Sequence, residues 1–246
     1  MKHIRLLALD LDGTLLTDDK KITEDTKYWI KQAEEAGITV IFATGRGYQS
    51  VVDYWEELGL TTPMVLVNGA DLRKSPVEQW QKRFIPRDEV RRLHELAERY
   101  EARYWGYCME SLTHDKGWTD EMFEKDWFKF GIRHDNAEAL QAMWSTVEGW
   151  GTLEVTQSAP VNMEVSLKGV TKESGVRKIC ELLEISMNEV AAVGDSLNDS
   201  LLLKAAGVGV AMGNADKAIK DIADLITDSN EQEGVAKFIQ QLLADR

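Results

Sequence analysis

Ile4-Arg5-Leu6-Leu7-Ala8-Leu9-Asp10-Leu11-Asp12-Gly13-Thr14 is a short apolar run that stops on two carboxylates and a glycine. The run is too short for an ordinary helix and suits a buried strand. In open parallel sheets, sites form at the carboxyl ends of strands, which is where Asp10 falls. Two Asp side chains two positions apart on an extended end point to the same side. A turn at Gly13 can instead bring one side chain and one backbone carbonyl to a common site. Carboxylates this close repel unless a cation joins them, and Mg²⁺ takes hard oxygen ligands. An Asp carboxylate can also accept a phosphoryl group covalently. A calcium loop is the competing reading, but it needs glycine at its sixth position and Glu at its twelfth. Counted from Asp10, those positions hold Leu15 and Lys21.

Working outward from this stretch, strands and helices alternate. Thr23 is a plausible N-cap and Gly37 a plausible stop for a first helix. Ile38 to Ala43 reads as a second strand, Tyr48 to Leu58 as a helix ending at Gly59, and Met64 to Val67 as a third strand after Pro63. This rhythm predicts an α/β fold, a Rossmann-like parallel sheet. It changes after about Trp80. Pro86 opens a helix through Tyr100, with Val90, Leu93, Leu96, Ala97 and Tyr100 on one apolar face. Strands are expected at Arg103–Cys108, Thr152–Gln157 and Asn162–Leu167, with a short helix around Ala137 to Trp144. Six of the eight tryptophans lie between Trp80 and Trp150, a composition shift that points to an inserted α+β module. The α/β rhythm returns with a helix from Thr171 to Leu183 and a capping-box pattern at Ser186–Glu189. Strands at Val190–Val193 and Val208–Ala211, a short one at Leu225-Ile226 and a C-terminal helix complete the chain.

The 246 residues suit one core with a sizeable insertion, and a 43% hydrophobic content can bury a core unaided. The net charge is −13, and no Lys/Arg cluster is large enough to follow a phosphate backbone, which disfavours nucleic acid. The same acidity disfavours anionic membranes. Cys108 and Cys180 form no metal or redox pattern, the N-terminal stretch does not read as a signal peptide, and no stretch is long enough to span a bilayer. A cytoplasmic protein is the expectation.

Gly194-Asp195-Ser196-Leu197-Asn198-Asp199 is the second constellation, again after an apolar strand and opening a helix. Asp195 would complete a cation's shell, and Asp199, one turn on, could orient its neighbours. Thr44-Gly45-Arg46 follows the second strand and could hold phosphate oxygens, though alone it reads rather as an ordinary strand-to-helix turn. Lys172 alone would pass for a solvated surface charge. The P-loop, the complete G-x-G-x-x-G, the H-E-x-x-H and the G-x-S-x-G patterns are absent. His3, His94, His114 and His134 are scattered and read as structural or surface residues.

Taken together and in order, Asp10-x-Asp12-Gly-Thr, Thr44-Gly-Arg46, Lys172 and Gly-Asp195-Ser-x-Asn198-Asp199 resemble the haloacid dehalogenase-like phosphatases. Asn68-Gly69-Ala70 and Ala211-Met212-Gly213-Asn214-Ala215 make the chain similar to the Cof-like subfamily. The resemblance implies a core over residues 1–82 and 168–246 with an α+β cap inserted at 83–167. It implies a Mg²⁺-dependent phosphatase acting on a small phosphorylated metabolite, such as a sugar phosphate. Asp10 would be the nucleophile and Asp12 the acid/base. Mg²⁺ would be held by Asp10, the Asp12 backbone carbonyl and Asp195, with Ser196 and Asp199 nearby. Leu11, Thr44, Gly45, Lys172 and Asn198 would contact the phosphate. A phosphomutase on the same core and a non-catalytic phosphometabolite sensor are the alternatives. Within the cap, Trp105, Tyr107, Glu110, His114 and Trp118 are the candidates to read the leaving group. Glu173, where the family commonly has a small residue, is expected to point to solvent rather than pair with Lys172.

Overall fold

The structure, a computed structural model, describes residues 3–245. Residues 1, 2 and 246, which the expected domain boundaries include, lie outside the described residues.

The chain opens with β1 (Leu6–Leu9), buried throughout, then α1 (Glu24–Glu35), whose Thr23 cap accepts from the Thr26 amide at 3.2 Å. β2 (Thr39–Ala43), α2 (Val52–Glu57) and β3 (Met64–Leu66) follow. The helix expected from Tyr48 is shorter, because Tyr48–Ser50 forms a separate 3₁₀ turn and Val51 leaves helical geometry. A hairpin of β4 (Asp71–Arg73) and β5 (Gln79–Lys82) comes next. These strands are polar and too short to show period-two alternation, so no pattern betrays them.

α3 (Arg87–Arg99) leads into β6 (Arg103–Tyr107), β7 (Leu112–His114) and β8 (Lys129–Arg133). β7 and β8 are not evident from the sequence, because they sit among charged and aromatic residues with no regular period. α4 (Ala137–Trp150) starts at Asn136, whose side chain accepts from the Glu138 and Ala139 amides. It runs beyond the expected Trp144 until Gly151 takes a left-handed conformation. β9 (Leu153–Thr156), β10 (Asn162–Leu167), α5 (Lys172–Leu183) and β11 (Val190–Gly194) come next. The chain closes through α6 (Ser200–Ala205), β12 (Val208–Ala211), α7 (Lys217–Lys220), β13 (Leu225–Ile226) and α8 (Gly234–Ala244).

The first sheet has the order β13-β12-β11-β1-β2-β3-β4-β5, parallel from β13 to β3 and antiparallel over the last two pairings. Its central strands are apolar on both faces because helices cover both. Leu7, Leu9, Val40 and Phe42 pack in one cluster with residues of α1 and α8, whereas Leu6, Ala8 and Ile41 pack in another with residues of α5 and α6. The second sheet is antiparallel, in the order β7-β6-β8-β10-β9. One of its faces packs Tyr104, Phe130, Ile132, Met163 and Val165 against α3 and α4 residues such as Leu93 and Met143. The other face carries Trp105, Tyr107, Lys129 and Glu164 toward the first sheet, where Lys129 donates to the Gly45 carbonyl.

Candidate active site

Asp10, Thr44 and Asp195 each follow the last residue of a neighbouring strand, β1, β2 or β11. The parallel sheet therefore gathers three distant segments at its carboxyl edge. After β1 the chain turns at once, with the Leu11 carbonyl accepting from the Thr14 and Leu16 amides. Gly13 adopts φ 73° in this turn, and a Cβ there would sit 2.4 Å from an Asp195 carboxylate oxygen. Only glycine meets both demands.

The turn separates the two acids that begin the motif. Asp10 is buried and pairs with Lys172 Nζ at 2.7 Å. Asp12 turns to a half-exposed position, where the Arg46 guanidinium grips it through two N–H groups at 2.6 and 2.7 Å. Lys20 adds a third bond at 2.7 Å. Lys20 stands in no motif, and Arg46 is marked in the sequence only as the end of the Thr44-Gly45-Arg46 turn. Burial alone would raise the Asp12 pKa, but these hydrogen bonds and charges outweigh it and bring it down to about 2.

Lys172 is fully buried on the first turn of α5 and divides its charge between Asp10 and Asp199, each at 2.7 Å. Burial opposes its charge, yet the two carboxylates hold it above the usual lysine range. Asp199 spends its other oxygen on the amides of Asp195 and Ser196, both at 3.1 Å. That anchoring leaves Asp10 and Asp195 as the carboxylates freer to turn outward. Thr14 Oγ1 donates to Asp195 at 3.2 Å. Glu173, next to Lys172, pairs with Arg177 on the same helix, in line with its expected outward direction.

Ser196 Oγ donates to Asn198 Oδ1, and Asn198 reaches the Asn68 side chain at 3.3 Å. Asn68 in turn donates to Glu164, which accepts from Lys129, both at 3.0 Å. This chain joins the two sheets through buried polar groups. Asn68 and Val67 both have positive φ, rare for Val, and that kink carries the Asn side chain into the network. The Asn68-Gly69 pair is the one sequence signal for it. Lys129 and Glu164 carry no such signal, because each is a single charge on a strand.

The Thr44 hydroxyl is buried and accepts from the Arg46 amide at 3.2 Å. Thr44, Gly45 and Asn198 line one cavity of about 280 Å³ together with Asp10, Asp12 and Asp195. Leu11 is fully buried in the apolar core beneath it. From the second sheet, Trp105 and Tyr107 reach this cavity. Glu110 is exposed and borders a different cleft, His114 is exposed, and Trp118 stacks on Trp127 at 4.9 Å. His94 packs beside Tyr104, and His134 accepts from the Asn136 amide.

Asp10, Asp195 and Asp199 can each bring an oxygen within 4.8 Å of the others, a donor set that fits a hard divalent cation. Three carboxylates against one ammonium leave an excess of negative charge. Burial, aided by the neighbouring Asp residues, pushes Asp10 up to about 8 and Asp195 up to about 7, with Lys172 opposing in each case. Both shifts are upward, so the folded protein without metal binds more protons than the unfolded chain between about pH 4 and 8. Stability from these groups is thus present at low pH and lost as pH rises through about 7–8. In chelator, Tm is expected to fall between about pH 5 and pH 8.5, and Mg²⁺ should offset most of the fall at the upper end. A metal-free Tm that rises over this range contradicts the charge balance described.

The sequence model of the haloacid dehalogenase-like hydrolases matches residues 7–142 and 110–239. A 5-amino-6-(5-phospho-D-ribitylamino)uracil phosphatase of Bacillus subtilis is 34% identical over 241 residues, covering 96% of this chain and 95% of its own. A pyridoxal phosphate phosphatase of Escherichia coli is 28% identical over 266 residues, covering 96% of this chain and 97% of its own. The solved structure of a haloacid dehalogenase-like hydrolase from B. subtilis superposes with a TM-score of 0.90 at 27% identity, covering 97% of this chain and 100% of that one.

Proposed function

Because this chain belongs to the haloacid dehalogenase-like hydrolases, we propose that it is a Mg²⁺-dependent phosphatase of a small phosphorylated metabolite, with Asp10 as nucleophile. The observation that carries the reading is the convergence of Asp10, Asp195, Asp199 and Lys172 at one sheet edge beside a cavity lined by both sheets. A sensor would have no use for a buried carboxylate held beside a cation site. At about 280 Å³ the cavity suits a metabolite ester, such as a sugar phosphate, rather than a macromolecule.

In this reading residues 1–82 and 168–246 form the core, and 83–167 form a cap that screens the reaction from water. Asp10, Asp195 and the Asp12 carbonyl would hold Mg²⁺, with Ser196 and Asp199 nearby. When bound, the ion offsets charge on the phosphoryl oxygens and on the carboxylates. Lys172, Thr44, Asn198 and the Leu11 and Gly45 backbones orient the phosphoryl group. An Asp10 oxygen attacks phosphorus, the bond to the leaving oxygen breaks, and Asp12 supplies that oxygen's proton. Water then attacks the aspartyl-phosphate with Asp12 taking its proton, and the bond between Asp10 and phosphorus breaks to release phosphate. The Arg46 and Lys20 contacts keep Asp12 ionised in the resting protein, ready for the second step. For the first step Asp12 must loosen these contacts and gain a proton.

The test is phosphate release from sugar phosphates, nucleotides and an aryl phosphate, with Mg²⁺ and with chelator. Release that requires Mg²⁺ is the expected result. Transfer of phosphate back to a sugar without free phosphate would favour the mutase, and tight binding without either would favour the sensor. Among the described residues no helix is long and apolar enough to cross a membrane.

A further inference from the structure

Asn68 does not line the cavity that holds Asp10 and Asp195, yet it is one hydrogen bond from Asn198, which does. It is buried, and its backbone is costly to hold. Val67 and Asn68 stand at φ 49° and 55°, a left-handed pair in which a β-branched Val is rare. Strain of this kind persists where the surroundings over-determine it. Here the Val67 amide donates to the Arg46 carbonyl at 3.0 Å and the Asn68 amide to the Thr44 carbonyl at 2.9 Å. The kink is therefore tied to the Thr44-Gly45-Arg46 turn. A Cβ on Gly45 would lie 3.1 Å from Asn68 Oδ1, so the side chain passes close over that glycine.

Each polar group in this line has its direction set by its neighbour. Lys129 donates to Glu164 Oε1 and to the Gly45 carbonyl, both at 3.0 Å, and Ser158 Oγ donates to the same Glu164 oxygen at 3.2 Å. A carboxylate paired with an ammonium only accepts, so Asn68 must offer Glu164 its NH₂ group, as it does at 3.0 Å. That leaves Asn68 Oδ1 facing Asn198, where it accepts from Nδ2 at 3.3 Å. Ser196 Oγ donates to Asn198 Oδ1 at 2.8 Å, which fixes the same orientation from the other end. An amide Nδ2 has two hydrogens, and Asn68 takes one of them. The second remains for a ligand in the cavity that Asn198 lines. Glu164 and Lys129 belong to β10 and β8 of the second sheet, so this alignment exists only while that sheet is docked.

Resting on the phosphatase reading above, we infer that Asn68 is a positioning residue, oriented by Glu164 of the second sheet so that the Asn198 amide is held for the phosphoryl group. Asn68 itself touches no reacting atom. It acts on the phosphate end of every ester alike, whatever the leaving group, and that end is complete only when the second sheet is in place.

Inhibition of aryl phosphate turnover by inorganic phosphate, measured on the full chain with Mg²⁺, tests this. Asn68→Gly removes the amide and suits the φ of 55°. It should raise the phosphate inhibition constant about tenfold, the effect of one hydrogen bond to a charged group. KM for the aryl phosphate should rise with it, and kcat should change less. Asn198→Ala should have a similar effect. In that background Asn68→Gly should add less than about twofold, because its route to the phosphate is already gone. Glu164→Ala is the second variant, should the first fail to fold. By charge alone, losing a carboxylate from the cavity wall tightens phosphate binding. Losing the anchor of Asn68 weakens it instead, and weakening is the expected result. A change under about twofold in Asn68→Gly, the same factor with and without Asn198, or tighter phosphate binding in Glu164→Ala overturns the inference. No Mg²⁺-dependent release by the wild-type protein would instead remove the phosphatase reading, and this role of Asn68 with it.

Discussion

Asp10→Asn is expected to lower kcat on the order of 10⁴-fold or more, while the metal-free protein becomes harder to unfold. The substitution is nearly isosteric. Its amide oxygen can still accept from Lys172, so the 2.7 Å contact that fills the floor of the site is retained in kind. What disappears is the nucleophile, because an amide oxygen does not form the ester with phosphorus that an ionised carboxylate forms. The rise in stability has a separate cause. Asp10 is buried beside Asp195 and Asp199, and its carboxyl is pushed up to about 8, so ionising it at neutral pH costs folding free energy. Removing the charge removes that cost and leaves Lys172 paired with Asp199. Phosphate release and thermal unfolding in chelator, measured on the same preparation, check both halves. Retention of more than about a tenth of wild-type kcat would take the nucleophile's role from Asp10. A lowered metal-free Tm would show that the carboxylate is worth more to folding than its burial suggests.

Lys172→Met should act in the opposite direction on stability and the same direction on activity. Lys172 has no solvent exposure and is the cation shared by Asp10 and Asp199. Removing one partner of a buried ion pair typically costs about 3–5 kcal/mol, because the remaining charges are left desolvated. At about 2–4 °C per kcal/mol for a chain of this size, Tm should fall by about 6–20 °C. Proton uptake by the stranded carboxylates relieves part of this, so the loss should be smaller near pH 5 than near pH 8. Mg²⁺ should recover some of it by supplying the missing positive charge. Differential scanning calorimetry at the two pH values decides the matter. A Tm within about 2 °C of wild type at both would mean that the site tolerates the excess negative charge without its lysine. Turnover should fall as well, since no other buried cation stands beside Asp10 among the described residues.

The fold was legible wherever burial imposes a period. The fully buried β1, β2, β11 and β12 read as apolar runs, and the capped ends at Thr23 and Ser186 read as N-termini. β4, β5, β7 and β8 did not, for two different reasons. The first three are three or four residues long and partly polar, too short for a period to emerge. β8 is buried on both faces, and its Lys-Phe-Gly-Ile-Arg sequence hides a strand behind a buried lysine and a glycine filled by its neighbour's indole.

The candidate site divides in the same way. Asp10, Asp12, Thr44, Asp195 and Asp199 could be found in the sequence because each stands in a short motif directly after an apolar run. Strand ends converge in a parallel sheet, so local order along the chain already implies proximity. Sequence therefore determined the core architecture, the acid cluster and the chemical class it suits. Tertiary structure alone decided that Asp12 leaves the cluster for Arg46 and Lys20, that Lys172 serves two carboxylates, and that Lys129 and Glu164, the latter held by Asn68, line the cavity. The Asn68–Glu164 and Lys129–Gly45 partners lie 96 and 84 residues apart and meet only when the second sheet docks over the first. Their pairing depends on rotamers, desolvation and packing across that junction, none of which leaves a periodic or local mark on the chain.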